Sequence, residues 1–213
     1  MSHVVKSKIE FKSLTALRKA LEACGLEFVE NQKKYKWFNA FVGDSPMPDG
    51  FTWPGKSSKH TYDPKKRMLG TCDHAARVKG LPNAYEVGVY QKEDGTWGII
   101  WDWYAGGGGL QKYLGDTNNA RKVEEEYAMQ LAIEVCQQQA WYYEVEGKNV
   151  RIYHPDGGIM TVGVDGVEAS QFIGSKCTEP VMLLSEALGK VAEIHNTSGY
   201  YEQEVHLTQP ADG

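Results

Sequence analysis

The chain has 213 residues, of which 41% are apolar and 24% are charged, and a formal net charge of −5. This composition is close to the globular average and excludes collagen-like, disulfide-scaffold and wholly disordered classes. No run approaches the ~18 apolar residues of a membrane span, and Met1–Phe11 lacks the apolar core of a secretory signal, so we expect a cytoplasmic protein without membrane contact. The charge is uneven, because residues 1–80 carry +7 and residues 81–213 carry −12.

The first third of the chain predicts a strand, a helix and two further extended segments. Alternating side chains over Val5–Phe11 predict the first strand. Ser13 is placed to cap a helix and Gly25 to end it. Glu27–Glu30 predicts a short strand and Tyr35–Phe41 another extended segment.

Residues 43–82 predict a long loop. They hold five of the eight prolines among glycines and lysines, with little periodicity. A loop longer than ~12–15 residues inside a domain is usually functional or disordered.

The strongest hairpin pattern of the chain follows this loop. Tyr85–Val89 and Trp97–Tyr104 alternate around the turn Glu93–Gly95. A long helix is then expected to begin at Asp116 or Thr117, with an apolar stripe every three to four residues.

The C-terminal part predicts a smaller set of elements. Tyr142–Glu146 and Asn149–Tyr153 predict a second hairpin, and Ile159–Val164 a further strand. Pro180 suits the first turn of a third helix, and Tyr200–Leu207 predicts a last strand. This order favours an α+β class, with helices packed on mostly antiparallel sheets.

Aromatic residues divide the chain unevenly, because all six tryptophans precede residue 142. We therefore predict an aromatic-rich α+β domain at 1–149 and a small C-terminal α+β module at 150–213. The cysteines form no C-x-x-C pair, which predicts reduced thiols. They are Cys24, Cys72, Cys136 and Cys177.

Several separated motifs carry a family resemblance. They are Ala20–Glu27, Gly70–Ala75, Tyr85–Val89, Trp101–Tyr104, Gly108–Leu110 and Tyr127–Ala128. Together they resemble the domain of unknown function 1257, the hypothetical chloroplast reading frame 35 family of plastids, cyanobacteria and phages, over about residues 1–153. A second set of motifs resembles the domain of unknown function 2997 over about residues 150–205: Asp156–Gly157, Gly166, Gly174–Cys177, Leu184–Gly189 and Tyr200–Tyr201.

The resemblance implies a context rather than a chemistry. Genes of the two families often lie near each other and near MoxR-like AAA ATPases, so it implies a fused protein, with a phage as one source, that works with such an ATPase. Neither family supplies catalytic residues for this chain.

Cys72, Asp73 and His74 form the first candidate site, with His60 nearby in the sequence. Thiolate, imidazole and carboxylate groups bind zinc, which makes His60, Cys72 and His74 weak metal candidates. The alternative is a structural clip in which His74 bonds the backbone and Cys72 is buried. A C-x-H pattern without a second ligand pair does not separate the two.

Asp102 and Tyr104 are the second candidate pair, on one face of the Trp97–Tyr104 strand. A buried carboxylate there could anchor a ligand or act as a base. Alternatively, Asp102 accepts a structural hydrogen bond or ion pair.

Lys65, Lys66 and Arg67 belong to the basic first part of the chain, where aromatic side chains are interleaved. Such groups can bind an anionic small molecule or single-stranded nucleic acid, although the acidic total charge disfavours nucleic acid. The alternative is a solvated surface, or a patch that docks on acidic protein.

We predict a non-catalytic interaction or adaptor protein, with an AAA ATPase or another protein as partner and without a cofactor. Two alternatives stay open. The first is binding or hydrolysis of a phosphorylated small molecule or nucleotide signal, as in phage counter-defence. The second is single-stranded nucleic-acid binding.

Overall fold

A computed structural model of the chain contains two five-stranded sheets, a short two-stranded ladder and helices. The strands form where apolar and polar side chains alternate. The fold is α+β, as the sequence predicts. The described residues are 4–6, 10–37, 40–41, 70–102, 107–115, 120–171, 178–189 and 192–194. They fall into two compact units, Met1–Glu124 and Glu125–Gly213.

The sheet of the first unit has the order β1-β7-β6-β5-β2, with every neighbouring pair antiparallel. Its strands are β1 Val4–Lys6, β2 Leu26–Val29, β5 His74–Val78, β6 Val87–Gln91 and β7 Trp97–Asp102. A short separate ladder joins β3 Lys36–Trp37 to β4 Ala40–Phe41. The predicted hairpin is confirmed over Val87–Asp102 by the β6–β7 pairing, and its last predicted residues, 103–104, lie outside the described residues.

Helix α1 (Leu14–Ala23) packs beside β2 and buries its apolar stripe. Ser13 caps it as predicted, since its hydroxyl accepts the Ala16 N–H at 3.1 Å. Gly25 follows the helix at φ 89°, a conformation that glycine adopts without steric cost.

Strand β5 corrects the predicted loop at 43–82, which is too long at its C-terminal end. The segment His74–Val78 is a strand between β2 and β6, and two of its residues are alanines. Alanine is depleted in strands, so the local sequence does not indicate this element. Cross-strand pairing on both sides holds it instead. Residues 42–69 lie outside the described residues.

Two helices follow the first sheet. The short helix α2 (Gln111–Leu114) was not predicted, and α3 (Arg121–Gln139) matches the expected long helix. The predicted start at Asp116 or Thr117 lies outside the described residues. The expected apolar stripe of α3 is buried at Val123, Tyr127, Leu131 and Val135.

The sheet of the second unit has the order β12-β11-β10-β9-β8, antiparallel except for the parallel β11–β12 pair. Its strands are β8 Tyr142–Glu146, β9 Asn149–Tyr153, β10 Ile159–Gly163, β11 Gly166–Ser170 and β12 Ala192–Ile194. Helix α4 (Thr178–Leu188) packs against β11 and buries Val181, Leu184 and Leu188. The predicted last strand at Tyr200–Leu207 lies outside the described residues.

The division between the units lies earlier than the predicted boundary at 149–150. That boundary falls inside β9, whose residues pair with both β8 and β10. The hairpin β8–β9 therefore belongs to the second sheet, although tryptophan content assigned β8 to the first domain.

Candidate functional site

The residues that the sequence singles out at Cys72–His74 lie in what we call the polar junction, formed by Gln32–Trp37, Gly70–His74 and Glu86. Backbone hydrogen bonds hold it together: Cys72 N–H donates to the Lys33 carbonyl at 2.9 Å and Tyr35 N–H to the Gly70 carbonyl at 3.0 Å. The junction ties the segment before β3 to the start of β5.

The side chains of Cys72 and Asp73 each form a hydrogen bond with a different backbone group. The Cys72 thiol is buried and donates to the Gln32 carbonyl at 3.0 Å. Asp73 accepts the Gln91 N–H at 2.8 Å, at the end of β6. A thiol held by a carbonyl is less ready to act as a nucleophile than an exposed thiolate.

His74 also contacts backbone. Its Nδ1 accepts the Asn31 N–H at 3.1 Å, and its ring lies 5.3 Å from Phe28 and 5.4 Å from Trp97, between ring centroids. Burial, followed by the nearby Lys33 ammonium, lowers the pKa of His74. The neutral imidazole therefore acts as an acceptor here.

These contacts are of the kind that the structural-clip interpretation predicts. Within the described ranges, no three His, Cys, Asp or Glu side chains are grouped so that they could hold a metal ion. The third weak metal candidate, His60, lies outside those ranges, as do Tyr104, Lys65, Lys66 and Arg67. The metal and catalytic interpretations stay predictions.

Asp102 ends β7 opposite Val4 and is 1% exposed. Both faces of the strand are buried at this point, because Ile99, Ile100 and Trp101 are also buried. Asp102 influences the pKa of Tyr35, a buried phenol of the polar junction. Burial raises this pKa, the Gly70 N–H that donates to the hydroxyl lowers it, and the Asp102 carboxylate raises it further.

Glu86 is the buried carboxylate of the polar junction. It accepts the Lys36 N–H at 2.8 Å and the Gln32 side-chain amide at 2.6 Å, and its own N–H donates to the Lys36 carbonyl at 2.8 Å. Glu86 is not among the candidate residues that the sequence predicts. In the sequence it is an ordinary acidic residue directly before the alternating strand β6, and nothing there indicates that it is buried.

The second unit presents a different arrangement, on what we call the outer face of its sheet. Cross-strand pairing places two rows of side chains there, while Val150, Ile152, Met160 and Val162 are fully buried on the other face. The two rows contain Tyr142, Tyr153, Glu144, Arg151, Thr161 and Glu168.

Glu144 connects two tyrosine side chains of the outer face. Its two carboxylate oxygens accept hydroxyl hydrogen bonds from Tyr142 at 3.0 Å and Tyr153 at 2.9 Å. The hydrogen bond from Tyr153, and then that from Tyr142, lowers the pKa of Glu144. The same bonds raise the pKa of each tyrosine. Arg151 lies over the Tyr153 ring at 5.7 Å, a cation–π distance.

A cleft of about 300 Å³ opens beside the turn between β10 and β11. Asn149, Thr161, Asp165 and Glu168 line it together with Gly163. Two carboxylates and one amide give this cleft the chemistry to receive a positively charged group.

Strand β8 forms an edge of this sheet and is the most exposed strand among those with described side chains. Tyr142 is 64% exposed and Val145 is 52% exposed, although they point to opposite faces. Sequence alternation predicted the hairpin correctly. It did not reveal β8 as an edge, because strand order depends on the placement of β10, β11 and β12.

The amino-acid sequence matches no protein-family model and no curated protein, and the fold matches no solved structure. Membership of the two families that the motifs resemble therefore stays a prediction. None of the helices in the described ranges has the length and apolarity that crossing a bilayer requires.

Proposed function

We propose that this protein is a non-catalytic interaction protein, an adaptor that docks a partner through strand β8. The observation that carries the proposal is the exposure of β8 on both faces, with Tyr142 64% and Val145 52% exposed. An exposed strand at the edge of a sheet offers backbone groups with which a strand of another chain can pair.

The polar junction supports the non-catalytic part of this proposal. Cys72, Asp73 and His74 each hydrogen-bond a separate backbone group, which is a structural use of these residues. A hydrolytic site requires a nucleophile and a base within hydrogen-bonding reach of one another. The described hydrogen bonds of these three side chains run instead to the Gln32 carbonyl, the Gln91 N–H and the Asn31 N–H.

The partner class comes from the family resemblance. It implies a MoxR-like AAA ATPase, with a phage as one source of the chain, and a cytoplasmic complex. The exposed strand β8 supports a protein partner of some kind, and the ATPase is the specific partner that we propose.

Co-purification tests the proposal, with the tagged protein co-expressed beside a MoxR-like ATPase encoded near it. The decisive variant is Val145→Lys, which places a charge on the edge of β8. Met182→Lys is the matched control, because Met182 is another exposed apolar residue of the second unit, on α4.

We expect wild type and Met182→Lys to retain the ATPase and Val145→Lys to lose it, with circular dichroism showing that all three are folded. Recovery of the wild type as a free monomer without any ATPase would contradict the adaptor function. Retention of the ATPase by Val145→Lys would remove β8 as the docking strand.

Binding of an anionic small molecule and binding of single-stranded nucleic acid both depend on Lys65, Lys66 and Arg67. Because these residues lie outside the described ranges, both alternatives stay predictions.

A further inference from the structure

Strand β8 has one free edge among the residues that the structure describes. It pairs with β9 along one side, residue for residue from Tyr142 to Glu146, and no described strand pairs with its other side. The free side of an edge strand presents backbone N–H and C=O groups to solvent. An extended segment can add to such an edge as a further strand.

The side chains of β8 restrict which segment can add. Tyr142, Glu144 and Glu146 lie on the outer face, and Tyr143 and Val145 lie on the opposite face. An incoming strand therefore meets two carboxylates on one face and an exposed valine on the other. Opposite charges directly across a strand pair stabilise it, and β-branched side chains pack well against one another.

A second copy of the same strand fits these restrictions poorly in the two antiparallel registers that oppose its carboxylates. Antiparallel self-pairing centred on Glu144 sets that carboxylate against its own copy, and pairing centred on Val145 sets Glu144 against Glu146. Like charges directly across a strand pair are destabilising. Charged side chains on an edge strand are a common protection against such self-association.

We propose that β8 captures an extended, basic segment of its protein partner by strand addition. In the added strand, Lys or Arg side chains occupy alternate positions facing Glu144 and Glu146, and an apolar β-branched side chain faces Val145. This inference rests on the proposed adaptor function and names the chemistry of the partner.

The surroundings of β8 have the same sign of charge. Asp165 and Glu168 line the cleft farther across the sheet, and Glu144 is held by two tyrosine hydroxyls. Among the described residues of this sheet and its turns there are two cations: Arg151, which approaches Glu146 at 3.5 Å, and Lys148, which pairs with Glu125 at 2.6 Å. The carboxylates outnumber these cations, so a basic segment gains more from this surface than an acidic one.

Two synthetic peptides test the inference with the full-length protein. The probe is a ten-residue peptide of alternating lysine with valine or threonine, and the control peptide carries glutamate in place of lysine. Fluorescence anisotropy measures the affinity, and nuclear magnetic resonance follows the backbone amides of Tyr142–Glu146.

We expect the lysine peptide to bind and the glutamate peptide not to bind, with shifts and slowed solvent exchange of the β8 amides. Because each cross-strand charge pair contributes modestly, the double variant Glu144→Gln/Glu146→Gln should weaken binding about fivefold. Val145→Lys should weaken it about tenfold or more. Glu179→Gln and Met182→Lys, both on α4, should leave it unchanged.

Equal binding of the two peptides, absence of binding by the lysine peptide, or binding without shifts at β8 would each overturn the inference. So would a concentration-dependent dimer that shields the β8 amides, because a second copy would then be the occupant. If co-purification depends on Val145 while the lysine peptide fails to bind, the adaptor function stands and the basic-segment inference fails.

Discussion

The polar junction of the first unit and strand β8 of the second unit hold similar groups in opposite settings. In the junction, Glu86 is 4% exposed and accepts hydrogen bonds from a backbone N–H and a side-chain amide. On β8, Glu144 is exposed and accepts hydrogen bonds from the hydroxyls of Tyr142 and Tyr153.

This difference separates residues that hold the fold from residues that can meet a partner. A buried acceptor cannot be removed without leaving its donors unsatisfied, whereas an exposed carboxylate exchanges protein contacts for water at little cost. Polar residues of the junction should therefore affect stability, and those of β8 should affect binding.

The largest expected effect is that of Glu86→Ala, which breaks the junction. The change leaves the Lys36 N–H and the Gln32 amide without the carboxylate that accepts their hydrogen bonds. We expect a loss of about 2–4 kcal/mol in the free energy of unfolding. Urea unfolding followed by tryptophan fluorescence measures it.

Glu27→Ala is the control, because Glu27 lies on the same sheet in an exposed pair with Arg77. Its loss should be clearly smaller. Equal losses for the two variants would show that burial does not decide the role of these carboxylates, and the contrast between the two regions would fail.

A second prediction compares two Lys–Glu pairs, one in each unit. The Lys92 side chain is 3% exposed and pairs with Glu10 at 3.2 Å, whereas the Lys148 side chain is 73% exposed and pairs with Glu125. Glu10→Gln removes the charged partner of a buried ammonium, so we expect a loss of about 1–2 kcal/mol in unfolding free energy.

Lys148→Gln should change the unfolding free energy less, because the Glu125 side chain that it leaves behind is 13% exposed, against 3% for Lys92, and keeps more contact with water. Thermal unfolding at low and at 0.5 M salt checks the pair of variants. A larger loss for Lys148→Gln than for Glu10→Gln is the result that would contradict this prediction.

A similar contrast, between local and long-range information, explains which strands and helices the sequence alone predicts. Alternation and turn residues locate β6, β7, β8, β9 and β10, and apolar spacing with a capping serine locates α1, because these signals are local. Strands β5, β11 and β12 were missed. The pairing of His74–Val78 between two other strands determines β5, and that information is not in its own residues.

The candidate sites show the same limit. Chemistry-bearing residue types drew attention to Cys72 and His74, but only their neighbours in space show that both bond backbone groups. Conversely, Glu144 and Val145 lie in an ordinary alternating strand. Their exposure follows from the position of β8 at the end of a five-stranded order, which the sequence pattern does not specify.

A third prediction concerns strain at the surface of the second unit. Ala140 follows α3 with φ 55°, a left-handed conformation in which an alanine Cβ is crowded, and it is exposed. Trp141 N–H bonds the Cys136 carbonyl at 2.9 Å, as at helix ends that favour glycine. Ala140→Gly should therefore raise the free energy of unfolding by about 0.5–1 kcal/mol.

Gln137→Gly is the opposite-sign control, because Gln137 is an exposed residue within α3 and glycine there should lower stability by about 0.5–1 kcal/mol. Differential scanning calorimetry of the two variants measures both. A lower melting temperature for Ala140→Gly would show that the helix end is not strained.

The smallest expected effect is the pH dependence of His74, the half-buried member of the polar junction. Burial and Lys33 lower its pKa in the folded state, while Asp73 and Glu30 act in the opposite direction. The unfolded chain, with an ordinary histidine pKa of about 6.5, therefore takes up the proton first. The stability that neutral His74 contributes is fully present above that value, and it is lost as pH falls toward the folded pKa.

Unfolding between pH 8 and pH 5 should consequently show a steeper loss for the wild type than for His74→Asn. The asparagine oxygen can still accept the Asn31 N–H but does not titrate over this range. Lys33→Gln should raise the His74 midpoint, measured by its ring-proton resonances, because it removes the cation beside the imidazole. Identical pH profiles for the wild type and His74→Asn would mean that His74 titrates as an exposed residue, and it would then belong with β8 rather than with the junction.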